Sequence, residues 1–358
     1  MCGIAMNERT IRHILLVRPS ALGDVCRSVP LVVSLKRALP DAQIDWLVQD
    51  SFAGAITAHS GVHRVIPFAR KDLGRLMRHG RLWRILRWTR SLADHPYDLA
   101  IDAQGLLRSA FFTWSSRAPR RVGYANAPEG AGIFYNIRPR VDRSMHTVDR
   151  MLALLGPIGV EPIRDMRLYT GAQAKAEASR LCPPGCVVIA PTSRWVSKRW
   201  PIDRFRALGD QLLATTDARL VIVGGPGEQE QCRPLLDLAG SSDRVIDLVG
   251  RTSVEVLMAV IESSRLVVAN DSAALHMAVG FDRPIVALYG PTEVSRVGPY
   301  RREADVIQHR DPDEPVNHKD DAQVRMMERI GVEEVAEACR RRIERSPQTG
   351  PPPNPKNL

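Results

Sequence analysis

Aromatic residues are scarce: 5% of the 358 residues. That scarcity argues against a stacking platform for single-stranded nucleic acid. No apolar run approaches the ~18 residues of a membrane-spanning helix, so any contact with a bilayer is expected to be peripheral. Residues 1–10 are of mixed polarity and lack the apolar core of a signal peptide, so none is visible. The six cysteines (2, 26, 182, 186, 232 and 339) are scattered along a long chain. A disulfide framework is therefore not expected, and the thiols should be reduced. Cys182-Pro-Pro-Gly-Cys186 has near-metal spacing but no second Cys or His pair beside it, and reads as a turn before a strand. Neither GxGxxG nor GxxxxGK[ST] occurs, so hydride-transfer and P-loop readings lose their best support. Like charges never run to a block of about five, which excludes a basic nucleic-acid tail.

What the chain does have is positive charge. Lys and Arg number 50 against 40 Asp and Glu, a net charge of +10, and the pI is about 9.7. Such a balance favours an acidic partner, whether nucleic acid, an anionic membrane surface or a phosphorylated substrate. Apolar residues at 44% and charged residues at 25% describe a soluble globular protein, and the length suits two domains.

Strand and helix patterns alternate along the first half. Apolar runs at 11–17, 44–48, 62–67, 97–102 and 121–124 read as strands. Helical spacing covers 25–39, 106–117 and 146–155. A long basic helix is expected over 71–93. Leu73, Leu76, Met77, Trp83, Leu86 and Leu92 form its apolar stripe, and Arg75, Arg78, Arg81, Arg84, Arg87 and Arg90 recur around it. That helix is either a solvated basic face over a core or a surface for anionic head groups or a phosphorylated acceptor. Residues 160–185 look like a linker with one helix, and the alternation then restarts. Strands are expected at 187–190, 219–223, 245–248, 266–269 and 285–289, with helices at 202–214, 228–239, 253–262 and 332–343. The fold class is α/β, with two doubly wound domains at 1–165 and 166–345 and a proline-bearing tail at 346–358 expected to be disordered.

The second half organises around Val267–Ala278, where an apolar strand breaks at Asn270-Asp271 and small residues restart as a helix. Asp271 or Ser272 is a natural N-cap. Ser272, Ala273 and Ala274 leave the first-turn N–H groups uncovered, and such a helix start attracts phosphate. By itself the stretch is equally an ordinary capped β–turn–α unit. Other strand-end turns add Thr192, Ser193 and Lys198, then Gly224-Gly-Pro-Gly227 followed by Glu228, then Gly290-Pro-Thr292. Ligands of open α/β sheets lie beyond the carboxyl ends of strands, so a cleft between the two domains is the natural site. The first half offers Ser20-Ala-Leu-Gly23-Asp24. Gly23 permits unusual backbone or close approach, and Asp24 is either an N-cap or a general base.

Ser20-x-x-Gly23-Asp24, Asp102-Ala-Gln-Gly105, Thr192–Pro201 with Lys198, Asn270-Asp-Ser-x-x-x-His276 and Leu288-Tyr-Gly-Pro-Thr292 occur in this order. Together they resemble the ADP-heptose–lipopolysaccharide heptosyltransferases of glycosyltransferase family 9, and the Asp102 run resembles the first heptosyltransferase. The resemblance implies a GT-B architecture, two Rossmann-like domains facing across a cleft, the acceptor on the N-terminal one and ADP-heptose on the C-terminal one. It implies an inverting transfer of heptose to a Kdo–lipid A acceptor, with neither metal nor cofactor, on the cytoplasmic face of the inner membrane. By motif, Asp24 is the base. Ser20 and Gly23 belong to its turn; Lys198, Thr192 and Ser193 hold the diphosphate. Asp271, Ser272, Ala273 and Ala274 form the phosphate-binding helix start, with His276 behind it, and Glu228 contacts ribose. Ala273 stands where the family often has Gly. A DxD pair for metal is matched only by Asp311-Pro-Asp313, in a polar loop outside these motifs. His276 reads equally as a packed core histidine, and His146 lies near Arg143 and Arg150. A nucleotide-sugar or lipid-surface binding module without turnover, and a transferase using another sugar nucleotide, remain open on the sequence.

Overall fold

In the computed structural model, the described residues are 11–70, 82–311 and 313–345. They form two compact units. The first holds the described residues of Met1–Ala21, Ser28–Arg143 and Val148–Asp165. The second holds those of Leu22–Arg27, Ser144–Thr147 and Met166–Leu358.

The first unit is built on a five-stranded parallel sheet of β1 (His13–Val17), β2 (Gln43–Gln49), β3 (Arg64–Phe68), β4 (Leu99–Asp102) and β5 (Arg120–Val122), in the order β3-β2-β1-β4-β5. Ile14, Leu15, Leu16 and Val17 are all fully buried. A parallel strand covered on both faces must be apolar throughout, which is why β1 shows no alternation. At its carboxyl end Val17 lies opposite Asp102. Asp102 is fully buried. Its carboxylate accepts the N–H groups of Gln104 (2.8 Å) and Gly105 (2.9 Å) and the hydroxyl of Tyr135 (2.6 Å). Burial pushes its pKa up, and those donors pull it back only in part. Gln104 in turn accepts the Ser20 N–H at 3.1 Å. The Asp102 run is thus a buried turn lock.

The single helix expected over 25–39 is two, Leu22–Cys26 and Val29–Ala38. Pro30 explains the break, since it lacks an N–H and its ring would clash with the carbonyl of Cys26. Of the basic 71–93 helix, residues 71–81 with Arg75, Arg78 and Arg81 lie outside the described residues, as does the 346–358 tail. The described part runs Leu82–Ser91. Trp88 anchors it, its ring 5.6 Å from Phe68 and 5.2 Å from Phe112. Trp83, Leu86, Arg87 and Arg90, spaced i, i+3, i+4, i+7, share the opposite, exposed face.

The second unit carries a six-stranded parallel sheet. Its strands are β6 (Val187–Ala190), β7 (Leu220–Ile222), β8 (Val245–Asp247), β9 (Leu266–Asn270), β10 (Ile285–Leu288) and β11 (Val306–Ile307). The order β8-β7-β6-β9-β10-β11 is the doubly wound pattern with its switch point between β6 and β9. The two-residue edge strand β11 is too short for periodicity to reveal. Helix Val254–Glu262 starts at Ser253, whose hydroxyl accepts from the Val256 N–H at 3.3 Å. Trp200 fills the core beside Phe205 (4.8 Å, edge-on) and donates its indole N–H to the Ile330 carbonyl at 3.0 Å.

A Cβ at Gly123 would run into the Tyr135 ring. Gly123→Ala should therefore displace the ring whose hydroxyl serves Asp102, destabilising the fold by about 1–3 kcal/mol. Chemical or thermal melting of the variant measures this; an unchanged midpoint contradicts it.

Candidate active site

The strand ends of β6 and β9 are tied by one buried side chain. Asn270 donates to the Pro191 carbonyl at 2.6 Å and accepts the Trp200 N–H at 3.2 Å. An amide can do both, so Asn270 fixes the start and the end of the 191–200 loop. The next residue continues the tie. Asp271 accepts from the Lys198 ammonium at 2.6 Å and from the Thr292 hydroxyl at 3.0 Å. Three strand-end turns therefore converge on one carboxylate. Tyr289 lies fully buried near it, and its phenol is pushed well above its usual pKa, by burial first and by Asp271 second.

This arrangement changes the role expected of Asp271. It is engaged by Lys198 and does not cap the helix. The N-cap of helix Ala273–Gly280 is Ser272, in extended backbone, and its side chain makes no capping bond. The Ser272 hydroxyl is buried without a hydrogen-bond partner among the described residues. With Ala273 and Ala274 next, the first turn carries no side chain long enough to cover its N–H groups. A helix start in this state attracts anions through its unsatisfied N–H groups and its dipole.

Thr192 and Ser193, both buried, follow β6 after Pro191. The glycine turn after β7 comes up against them: a Cβ on Gly224 would lie 3.3 Å from the Thr192 methyl and 3.3 Å from a Glu228 oxygen. Glu228 closes that turn by accepting the Gly225 N–H at 2.6 Å. Gln308 supports the Gly290–Thr292 turn, donating to the Gly290 (2.7 Å) and Thr292 (2.9 Å) carbonyls.

Asp24 stands on helix Leu22–Cys26, which belongs to the second unit although β1 before it belongs to the first. Gly23 is what allows this. A Cβ there would sit 2.7 Å from His276 Cδ2 and 3.5 Å from the Ala273 Cα. Of the two roles open to Gly23, close approach is the one realised, and its φ is not positive. All the candidate residues except Ser20 therefore lie in one unit. Ser20, in the first, holds Gln104 through its N–H and hydroxyl. His276 is buried behind the helix start, and burial, then Arg27, drives its pKa well below 6.5, against the pull of Asp24. It is a neutral packing residue at working pH. His146 meets the Gly298 carbonyl at 3.1 Å and the Tyr300 ring at 4.9 Å.

Two partners were not assigned from the sequence. Thr292 was placed in the Gly290–Thr292 turn and the Leu288–Thr292 motif without a role, and Arg27, three residues beyond Asp24, was not singled out. Arg27 forms a short ion pair with Asp24 and donates to the Val297 carbonyl at 3.0 Å. Its i,i+3 spacing was the available signal. Among the described residues, no group of three or more His, Cys, Asp or Glu is arranged to hold a metal. Asp311 is exposed and pairs with Arg329 at 3.5 Å.

The family profile described as glycosyltransferase family 9 (heptosyltransferase) matches residues 85–325. The chain is 32% identical over 299 residues to a Pseudomonas aeruginosa lipopolysaccharide heptosyltransferase 1, covering 81% of this chain and 82% of that one. It superposes on Escherichia coli ADP-heptose lipopolysaccharide heptosyltransferase II with TM-score 0.77 at 21% identity, over 93% of this chain and 99% of that one. It also matches an E. coli heptosyltransferase solved with ADP, with TM-score 0.74 at 24% identity over 92% and 99%. These superpositions give the fold, and it is the GT-B fold.

The depressed His276 pKa makes stability depend on pH. Above 6.5 the ring is neutral in both states. As pH falls below 6.5 the unfolded chain takes up a proton that the folded chain refuses, so stability drops, by up to about 1.4 kcal/mol per pH unit. Between about pH 7.5 and pH 5 the wild type should lose more stability than His276→Gln. Parallel losses in denaturant titrations contradict the assignment.

Proposed function

The chain belongs to glycosyltransferase family 9, the heptosyltransferase family, and from that premise we propose that it transfers heptose from ADP-heptose to a Kdo-bearing lipid A acceptor in inner-core lipopolysaccharide synthesis. One observation carries the reading. Asp24 packs, through Gly23, on the helix whose bare start meets the Lys198–Asp271 pair. In this reading the base and the anion site share one packed unit.

The chemistry follows from that placement. Asp24 takes the proton from the acceptor hydroxyl as its oxygen attacks C1 of the heptose opposite the leaving group. The bond from C1 to the β-phosphate oxygen breaks, and its electron pair leaves with ADP. C1 is inverted. Negative charge grows on the diphosphate, where Lys198, Thr192, Ser193 and the Ser272–Ala274 N–H groups receive it. Donors fixed before the reaction need no reorganisation during it, and Asp271 fixes Lys198 in this way. Glu228 offers its carboxylate to the ribose hydroxyls.

The same reading puts the enzyme peripherally on the cytoplasmic face of the inner membrane. No described helix is long and apolar enough to cross a membrane. Helix Leu82–Ser91 supports surface contact: Trp83 and Leu86 are exposed beside Arg84, Arg87 and Arg90, and the helix carries no acidic residue. Aromatic and aliphatic side chains enter the head-group region while arginines meet anionic lipid.

Two measurements test this. Asp24→Asn should lower kcat by at least ~100-fold while calorimetry shows ADP-heptose affinity little changed; binding of the donor without turnover by the wild type would favour a non-catalytic module. Reversing Arg84, Arg87 and Arg90 to Glu should weaken sedimentation with anionic vesicles by at least ~tenfold at low salt and leave neutral vesicles unaffected. Unchanged sedimentation would overturn the membrane face.

A further inference from the structure

Arg27 is 6% exposed, a burial that arginine rarely accepts without partners. It lies just past helix Leu22–Cys26, its N–H bonded to the Gly23 carbonyl at 3.0 Å. Its guanidinium reaches two ways. Nη2 donates to Asp24 Oδ1 in the short ion pair, and Nη1 donates to the Val297 carbonyl at 3.0 Å.

The second contact belongs to a set. Helix Val294–Val297 ends at three consecutive carbonyls, and each receives a side chain from a distant part of the chain. Thr147 Oγ donates to Arg296 (3.1 Å), Arg27 to Val297, and His146 Nε2 to Gly298 (3.1 Å). Terminal helix carbonyls have no partners of their own, so these donors hold the segment in place. Of these donors, Arg27 also pairs with Asp24.

We propose that Arg27 is a positioning residue for the transfer reaction: it holds the Asp24 carboxylate ionised and aimed, and it ties the helix carrying Asp24 to the segment after the Gly290–Thr292 turn. This rests on Asp24 being the base. The charged and titratable groups that act on His276, beneath that helix, are Arg27, Asp24, His146 and Lys198. His276 is neutral, and Lys198 is engaged by Asp271 at 2.6 Å. Arg27 acts on Asp24 directly, through the ion pair. A guanidinium against a carboxylate favours the ionised form by about one to three pH units.

The test uses the full-length enzyme with ADP-heptose and a Kdo–lipid A acceptor. Arg27→Met keeps much of the volume and removes the charge. It should lower kcat by ~10- to 100-fold, with KM for ADP-heptose little changed. Losing the cation raises the carboxyl pKa, so the acid limb of kcat/KM should move up by about one unit or more. Arg27→Lys should return the limb toward its wild-type position. Arg27→Gln provides the same comparison if the Met variant does not fold. An acid limb that stays put in the uncharged variants overturns the proposal, whether or not kcat falls, because loss of packing alone would not move it. Asp24→Asn separates the two claims. If it remains active, the base assignment fails; if it is inactive while the limb stays put, only the role of Arg27 fails.

Discussion

The close approach of Gly23 to His276 is the constraint on which the site depends. A side chain of any size at position 23 would collide with the imidazole at 2.7 Å. Without one, the short helix Leu22–Cys26 settles on Ala273–Gly280, and the consequences follow in sequence. Asp24 comes to the same unit as the strand-end turns. Arg27, one turn on, comes within reach of the Val297 carbonyl. His276 is buried, and burial holds its imidazole in the neutral form. A neutral, rigid ring is a good surface for helix packing, and a charged one would have to be solvated.

The second organising element is polar. Asn270 and Asp271 bind together the turns after β6, β9 and β10, using an amide for two backbone groups and a carboxylate for Lys198 and Thr292. The Lys198–Asp271 pair is nearly buried, with the side chains 13% and 10% exposed. A pair so placed adds little net stability, because desolvation offsets much of the attraction. Its value lies in geometry. It fixes an ammonium next to a helix start whose N-cap side chain makes no capping bond, and a donor fixed in advance is the form of preorganisation that lowers a barrier in the proposed reaction.

Much of this was legible in the chain. Fully buried parallel strands read as continuous apolar runs, so β6 was bounded to the residue and the doubly wound alternation was plain. The turns at Thr192, Gly224, Asn270 and Gly290 stood out because polar or glycine residues interrupt the apolar runs within two residues of the strand ends. What could not be read was partnership across distance. Asp271 looks like an N-cap until Lys198, 73 residues away, is seen to claim it. Glu228 looks like a ribose ligand, yet it first closes its own glycine turn. Apolar spacing alone gave one helix over 25–39, whereas Pro30 divides it into Leu22–Cys26 and Val29–Ala38. Chain position also assigned Asp24 to the N-terminal domain, whereas packing gives its helix to the second unit, and only the missing Cβ of Gly23 hinted at that.

The central claim is direct displacement at C1 by a hydroxyl that Asp24 has deprotonated. It is tested most directly by the stereochemistry of the product. Incubating the enzyme with ADP-heptose and a Kdo–lipid A acceptor, then reading the anomeric coupling of the new linkage by NMR, distinguishes the outcomes. The account predicts one added heptose whose C1 configuration is opposite to that in the donor, with one ADP released per transfer. Retained configuration, or donor binding with no ADP released, would contradict it.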